Sequence, residues 1–203
     1  MLDPTMLYRL PALLVAIVFH EYAHAQAADA LGDPTPRYSG RLTLNPLAHL
    51  DPVGLLALWF FRFGWAKPVP VNPYNFRDPR RGMVLVAMAG PAMNLFLAFL
   101  TMLVLRLTGV SLSAAGPIVS QLLLYNVLLA AFNIIPVPPL DGSKILAGLL
   151  PRSAGRYIAQ IEPYGWVVLL ALLWTGILQR IIGPVVNLIL LALELSTGGF
   201  ITL

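Results

Sequence analysis

The sequence predicts an all-α polytopic membrane protein with about five transmembrane helices, some of them short or broken. Of its 203 residues, 58% are hydrophobic and only 11% are charged, whereas soluble domains carry about 25% charged residues. No linker, repeat or low-complexity tract divides the chain, so residues 1–203 are expected to form one membrane-embedded domain. A helix needs about 20 apolar residues to cross a bilayer, and four stretches approach or exceed that length: about 6–31, 83–107, 118–135 and 164–197.

The first span carries ionisable residues within apolar surroundings. The apolar run Leu10–Phe19 leads into His20-Glu-Tyr-Ala-His24, and the segment then continues to Leu31. An apolar run of this length is also typical of a signal peptide. However, Arg9 is the only basic residue before it, and cleavage would remove or strand the histidine motif. We therefore expect this segment to be retained as a membrane span.

The region between the first two spans is predicted to hold a re-entrant or extended β-like element at 37–72. Its apolar stretch Val53–Phe61 is only nine residues long and ends at Arg62, which is too short to span and favours a re-entrant or interfacial position. The flanking segments 37–45 and 66–72 have strand-like and extended character, and proline-containing turns interrupt the region.

The last apolar region is too long for one simple helix. Proline breaks helical hydrogen bonding, and an arginine is unfavourable in the middle of the bilayer. The sequence Gln179–Pro184 contains both and is predicted to interrupt the region. We expect C-terminal helices at about 164–178 and 181–197, after a catalytic core at about 6–142.

The basic residues predict the orientation of a multi-pass protein in the cell membrane. Residues 32–82 contain seven Lys and Arg and residues 136–163 contain three, which is ten of the thirteen in the chain. Cytoplasmic loops are enriched in these residues, so both loops are expected in the cytoplasm, the N-terminus outside and, with two C-terminal helices, the C-terminus inside. This distribution also accounts for the net charge of +4 without a nucleic-acid partner. The residues are Arg37, Arg41, Arg62, Lys67, Arg77, Arg80, Arg81, Lys144, Arg152 and Arg156.

The histidine motif predicts a metal site. Residues four apart share one face of a helix, so His20 and His24 can bind one ion together. Glu21 lies beside them, where a carboxylate can take a proton from a water molecule on the metal. Ionisable groups are costly at membrane depth and indicate function there. The chain has no cysteine, which excludes thiolate ligands, disulfides and a cysteine nucleophile.

A catalytic zinc site needs a third protein ligand. The third span is predicted to end near Ile135, on the same side of the membrane as the motif, and the proline-rich segment after it leads to Asp141. Because this non-helical segment begins at the face nearest the motif, it favours Asp141 as the third ligand. His49 is the main rival and is otherwise expected to lie behind the ligands or beside the substrate. The full set of candidates is Asp29, His49, Asp51 and Asp141.

Two asparagines on the predicted spans have two interpretations each. Asn94 lies in the second span at a depth comparable to that of the histidines, and Asn133 ends the third span. An amide at such a position can donate to a developing oxyanion or hold the backbone of a substrate. It can instead form hydrogen bonds between transmembrane helices. Both interpretations stay open for both residues.

Several motifs together resemble the site-2 protease family of intramembrane zinc metalloproteases, in a compact prokaryotic subgroup without a PDZ domain. The resemblance implies that His20, His24 and Asp141 bind one zinc ion, that Glu21 is the catalytic base and that Asn94 aids the tetrahedral intermediate or substrate binding. The matching motifs, in the family's order, are His20-Glu-Tyr-Ala-His24, Asn45-Pro-Leu-Ala-His-Leu-Asp-Pro52, Phe63-Gly-Trp-Ala-Lys-Pro-Val-Pro-Val-Asn72, Gly90-Pro-Ala-Met-Asn94 and Asn133-Ile-Ile-Pro-Val-Pro-Pro-Leu-Asp141-Gly142.

The function predicted from these observations is that of an intramembrane zinc metalloendopeptidase. Its partners would be the lipid bilayer and membrane proteins whose transmembrane segments it cleaves, in regulated intramembrane proteolysis. The alternatives are a non-proteolytic zinc-binding membrane protein or transporter, and a membrane adaptor without activity. The sequence leaves the oligomeric state and the physiological substrate open.

Overall fold

The computed structural model describes residues 5–61 and 64–198, and it is predominantly helical throughout this range. Arg62 and Phe63, which the sequence analysis uses, lie outside the described residues. Within the described ranges no β-strand forms, and the only β-type pairing is an isolated antiparallel bridge between Leu50 and Ala66. The prediction of an all-α polytopic membrane protein is confirmed.

The described residues contain nine α-helices and three short 3₁₀ turns. Their bounds are α1 (Met6–Ala30), α2 (Thr35–Tyr38), α3 (Pro52–Phe61), α4 (Pro79–Thr108), α5 (Pro117–Ile134), α6 (Asp141–Leu149), α7 (Arg152–Ile161), α8 (Gly165–Trp174) and α9 (Ile177–Thr197).

Four of these helices are long and apolar enough to cross a bilayer, namely α1, α4, α5 and α9. Helix α8 is apolar as well, but its ten residues extend only about 15 Å at 1.5 Å per residue. Helix α8 therefore matches the prediction that some of the apolar helices are short. Helix α4 is the longest, at 30 residues; it begins at an aspartate cap, Asp78, and ends at Gly109 in the left-handed conformation.

The bundle is built on α1, α4 and α5, which pack against one another. Helices α1 and α4 are antiparallel, because His20 contacts Asn94 whereas His24, one turn later, contacts Val86. The bundle therefore has two ends. We call the end that carries residues 31–78 and 135–164 the loop end, and the end that carries residues 109–116 the far end.

Helix α9 crosses the bundle from the loop end to the far end. Leu178, near its start, packs with Ile135 and Leu140, and Leu193, near its end, packs with buried residues of α4 and α5. At the far end the guanidinium of Arg106 donates to the carbonyl oxygen of Gly198 at 2.8 Å. Residue 198 thus lies at the same end as the start of α1. For the described residues, the prediction that the chain starts and ends on opposite sides is therefore wrong.

The interruption of the last apolar region lies earlier than the sequence predicted. Two helices do form, but they separate at Gly176, whose φ of +72° is a left-handed conformation that glycine adopts without strain. Pro184 lies inside α9 and does not end it. Arg180 is exposed in the first turn of α9, at the loop end, where it can reach the membrane surface without a break in the helix.

The region 37–72 forms a packed loop rather than a β-like element. Helix α3 matches the short apolar stretch predicted to be re-entrant or interfacial. The strand predicted at 37–45 does not form, because a helical turn occupies Thr35–Tyr38 and Arg41 holds the following loop in place. The buried Arg41 guanidinium donates to the carbonyl oxygens of Ala48 and Pro68. Residues 67–72 are irregular. This segment contains Pro68 and Pro70, and proline has no N–H group to donate to a β-ladder.

Asp33 joins the end of α1 to the turn that precedes α4. Its buried carboxylate accepts hydrogen bonds from the backbone and hydroxyl of Thr35, from the backbone N–H of Asn72 at 2.7 Å and from the amide of Asn75 at 2.6 Å. Burial raises the pKa of the Asp33 carboxyl, but these hydrogen bonds outweigh burial and leave the pKa below its ordinary value. The ionised form therefore stabilises the loop end above the ordinary pKa, and this contribution is lost as the pH falls through the lowered pKa.

Replacing Asp33 with asparagine is expected to lower the free energy of unfolding by about 2–3 kcal/mol at neutral pH, since hydrogen bonds to a charged group are worth about 1.5–3 kcal/mol each. The deficit should shrink as the pH of the titration falls below about 4, where the Asp33 carboxyl of the unfolded wild type begins to protonate, and toward the lowered pKa of the folded protein. Denaturant titration in detergent micelles measures both quantities.

Asp51→Asn is the matched control for this prediction. Asp51 accepts from the backbone N–H groups of Val53 and Gly54 at the start of α3, and asparagine caps a helix about as well as aspartate. It should change the unfolding free energy by less than about 0.5 kcal/mol. Equal losses in the two variants would contradict the role given to Asp33.

Candidate active site

Three side-chain atoms converge at one point between α1 and α6. The Nε2 atoms of His20 and His24 are 3.0 Å apart. The Oδ2 atom of Asp141 is 3.2 Å from the first and 3.1 Å from the second. All three residues are buried, and they are the only group of three or more potential metal-binding side chains found among the described residues.

The two helices bring this group together from positions about 120 residues apart. His20 and His24 are ten and six residues before the end of α1 at Ala30, or about 15 Å and 9 Å inside the helix at 1.5 Å per residue. After α5 ends, residues 135–140 turn back toward α1. Asp141 is the first residue of α6, so it lies at a helix N-terminus and not in the non-helical backbone that the sequence predicted.

The hydrogen bonds behind the histidines fix which nitrogen carries the proton. The Nδ1–H of His24 donates to the carbonyl oxygen of Val86 at 2.7 Å. The Nδ1–H of His20 donates to Oδ1 of Asn94 at 2.6 Å, while the amide nitrogen of Asn94 donates to the Ala16 carbonyl and to Asn126. In both neutral rings the Nε2 lone pair is then left facing the other histidine and Asp141.

These observations fit a divalent metal ion. Two Nε2 lone pairs and a carboxylate oxygen lie within 3.2 Å of one another, and Oδ2 of Asp141 is buried without a hydrogen-bond donor. Such a set of acceptors is unfavourable unless a cation binds between them. Atoms that surround zinc tetrahedrally at about 2.0–2.1 Å lie roughly 3.3 Å from one another, which matches the observed spacing.

Gly90 permits the close approach of α4 to the two histidines. A β-carbon at this position would lie 2.4 Å from Nε2 of His24 and 2.6 Å from Cε1 of His20. Gly142 has a similar role beside Asp141, since a β-carbon there would lie 2.2 Å from the carbonyl oxygen of Ile134. The absence of a side chain at both positions thus allows the three converging side chains and their helices to approach one another as closely as they do.

Two cavities meet at these residues. A polar cavity of about 310 Å³ opens toward the loop end, and an apolar cavity of about 340 Å³ extends between α1, α5 and α8. His20, Glu21, Pro68, Asn133 and Pro139 border both cavities. Glu21 is half-buried, so its side chain is accessible from the two cavities that it borders.

Arg41 is a charged neighbour of Glu21. Burial lowers the pKa of the Arg41 guanidinium, while the negative charge of Glu21 acts in the opposite direction. The loop that Arg41 holds in place thus brings a fixed positive charge toward the Glu21 carboxylate.

The other predicted residues lie in different surroundings. Asn94 is fully buried and its amide bonds only to protein groups. Asn133 is half-buried, borders both cavities and donates to the Leu129 carbonyl oxygen. His49 is fully buried, borders neither cavity and donates through Nε2 to the carbonyl oxygen of Thr43. Of the remaining candidate ligands, Asp29 pairs with Arg37 at 2.6 Å and Asp51 caps α3, as described above.

Sequence reasoning missed Gly90, the Val86 carbonyl group and Lys144 of the polar cavity. A signal existed for Gly90, because the small residue lies one helical turn before Asn94 in the same motif. A backbone carbonyl gives no sequence signal at all.

Comparison with known proteins identifies the family. A model of peptidase family M50 matches residues 108–176, a range that includes Asp141 but not the two histidines. A Bacillus subtilis (strain 168) protein named "Putative zinc metalloprotease YwhC" is 40% identical to this chain over 190 residues, which are 90% of this chain and 87% of that protein. The chain belongs to peptidase family M50, the site-2 protease family.

Two further relatives are matched over a smaller share of their own length. The Rip2 protein of Mycolicibacterium smegmatis, with the same description, is 31% identical over 82% of this chain and 66% of its own. "Zinc metalloprotease MJ0392" of Methanocaldococcus jannaschii is 23% identical over 70% of this chain and 34% of its own. No solved structure matches the chain.

As an M50 member, the protein is a membrane zinc metallopeptidase, and zinc is its cofactor. The predicted resemblance and the predicted enzyme class are confirmed. The interpretations as a non-proteolytic zinc-binding protein, a transporter or an inactive adaptor are set aside.

Replacing Gly90 with alanine is expected to reduce bound zinc at least tenfold at limiting metal, because the added methyl group would occupy the space of the His20 and His24 rings. The measurement is zinc content of purified protein after dialysis against a metal buffer. Gly183→Ala is the control, since a β-carbon there meets nothing within 4 Å. Full zinc content in Gly90→Ala would contradict the close approach of α4.

Proposed function

We propose that the protein is an intramembrane endopeptidase that hydrolyses peptide bonds within or near the transmembrane segments of other membrane proteins. The observation that carries this proposal is the depth of the three converging atoms, about 9–15 Å inside a membrane-spanning helix at 1.5 Å per residue, beside an apolar cavity between helices. An apolar cavity between membrane helices suits an apolar transmembrane segment better than a soluble substrate.

In this proposal His20, His24 and Asp141 hold one zinc ion. When bound, zinc supplies Lewis-acid activation of a water molecule and of the substrate carbonyl group. The backbone carbonyl of Val86 and the amide of Asn94 hold the two imidazole rings with Nε2 toward the ion. Partners of this kind typically change metal affinity 10–100-fold when removed.

Glu21 is the general base and then the general acid. It adjoins His20 in the sequence and borders both cavities, so it can take a proton from the attacking water and later give it to the leaving amine. The polar cavity provides a path for water to this carboxylate, because hydrolysis in a bilayer requires a hydrated route.

The asparagines and His49 have separate roles in this account. Asn94 positions His20 and does not contact the substrate, since its buried amide is already bonded to protein on both its oxygen and its nitrogen. Asn133 borders both cavities, and its amide oxygen can accept from the substrate backbone. His49 supports the loop that Arg41 also holds, and so acts on the site from a distance.

The orientation is also part of the proposal. The loop end carries most of the basic residues, which places it in the cytoplasm by the positive-inside rule. Both the start of α1 and residue 198 then lie outside the cell. The substrate would enter from the lipid bilayer into the apolar cavity, with its local helix unwound so that the scissile carbonyl is accessible.

Glu21→Gln is expected to retain one zinc per chain and to lower the cleavage rate of a transmembrane peptide by about 10²–10⁴-fold, the range for loss of a general base. The rate is measured with zinc-loaded protein in lipid nanodiscs and a peptide whose apolar segment spans the bilayer. Zinc content is measured on the same sample, so that loss of metal and loss of the base are separated.

Glu194→Gln is the matched control, because it makes the same change on α9 near the far end. It should cleave at the wild-type rate within about twofold, because Glu194 is half-buried and borders neither cavity, and substitutions away from special features usually do little. Unchanged cleavage by Glu21→Gln would contradict the mechanism. Cleavage of soluble peptides only, with no cleavage of the spanning peptide, would contradict the intramembrane substrate.

A further inference from the structure

The two cavities at the active site differ in chemistry. The apolar cavity is lined by large side chains that include Phe132, Leu169, Trp65 and Trp166, the two tryptophan rings lying 5.2 Å apart. The polar cavity carries charged groups from the loop end instead, on Lys144 and Glu162. A substrate that occupies both must therefore change from apolar to polar close to the scissile bond.

Lys144 is the one described cation that lines the polar cavity. It is three residues after Asp141 on α6, and residues three apart share one face of a helix. Its side chain is half-buried. Among residues 5–61 and 64–198, nothing forms a hydrogen bond or an ion pair with its ammonium group.

An ammonium group in this position is available to an anionic partner. Partial burial removes part of its hydration, and no carboxylate of the described residues lies within ion-pair distance of it. Glu162 lines the same cavity but is exposed and does not pair with it. Asp141 and Glu21 are committed to the metal and to proton transfer in the proposed function.

We propose that Lys144 determines specificity by binding a carboxylate side chain, aspartate or glutamate, on the polar flank of the substrate. This inference rests on the proposed function and deepens it. The substrate class is then a transmembrane segment that ends close to the scissile bond and is followed within a few residues by an acidic residue. Its apolar part lies in the cavity beside Trp65 and Trp166, and its acidic flank extends toward the loop end.

The site favours a carboxylate over a cation for a second reason. A basic substrate residue in this cavity would meet Lys144 at close range, and like charges in a partly desolvated site repel. A neutral residue would leave the ammonium group without a partner. The charge on the substrate flank should therefore affect the rate in the order acidic, neutral, basic.

The test uses zinc-loaded protein in nanodiscs and a panel of spanning peptides. In each peptide one of about six successive positions on either flank of the apolar segment is Asp, Gln or Lys, with all other residues uncharged. We expect one position at which wild-type kcat/KM is about tenfold higher for Asp than for Lys. Lys144→Glu should reverse this preference, Lys144→Gln should reduce it to less than twofold, and Lys144→Arg should retain it.

Arg77→Glu is the matched control. Arg77 is exposed on the loop end and borders neither cavity, so its reversal changes the net charge by the same amount as Lys144→Glu. The charge preference should be the same as in the wild type. Zinc content of every variant is measured. If Lys144→Glu does not fold, the loss of charge preference in Lys144→Gln tests the proposal instead.

Retention of the wild-type charge preference by Lys144→Glu and Lys144→Gln would overturn the proposal, as would a wild-type enzyme that cleaves all peptides without a charge preference. Reversal of the preference by Arg77→Glu would mean that the preference arises from the overall charge of the loop end. That result would overturn the proposal as well. A wild-type enzyme that cleaves no spanning peptide contradicts the proposed function itself, which is a different result from cleavage without selectivity.

Discussion

The structure depends on three electron-pair donors that face one another in a membrane-embedded site. The Nε2 atoms of His20 and His24 and the Oδ2 atom of Asp141 lie within 3.2 Å, and the hydrogen bonds on the far side of both rings leave no proton between them. Without a cation this contact is repulsive and its desolvation is uncompensated. A divalent ion bound between these atoms would link α1 to α6.

Helix α4 is shaped to support this contact. Val86, Gly90 and Asn94 are spaced four residues apart, so they share one face of the helix. Val86 accepts through its carbonyl group, Gly90 leaves space for the rings, and Asn94 accepts through its amide oxygen. This face meets His20 and His24 of the antiparallel α1. The Nδ1–H groups of both imidazole rings are therefore satisfied by α4, as a site within the bilayer requires.

The sequence allowed prediction of those parts of the site that depend on side-chain chemistry. The two histidines and Glu21 form a local pattern. The distribution of Lys and Arg predicted that Asp141 lies at the same end of the bundle as this pattern, and the structure places it there. The contributions of Gly90 and the Val86 carbonyl were not predictable, because they depend on the distance between two helices. The interruption at Gly176 was missed because a proline and an arginine nearby gave a stronger but misleading signal. The loop at 37–45 was predicted as a strand from its composition, whereas the buried Arg41 fixes its path through tertiary contacts.

The most direct test of this account is the zinc content of purified Asp141→Ala compared with the wild type and with His49→Ala, each dialysed against the same metal buffer. The account predicts one zinc ion per chain in the wild type and in His49→Ala, and at least a tenfold weaker affinity in Asp141→Ala. Equal zinc content in wild type and Asp141→Ala, with loss in His49→Ala, would contradict it.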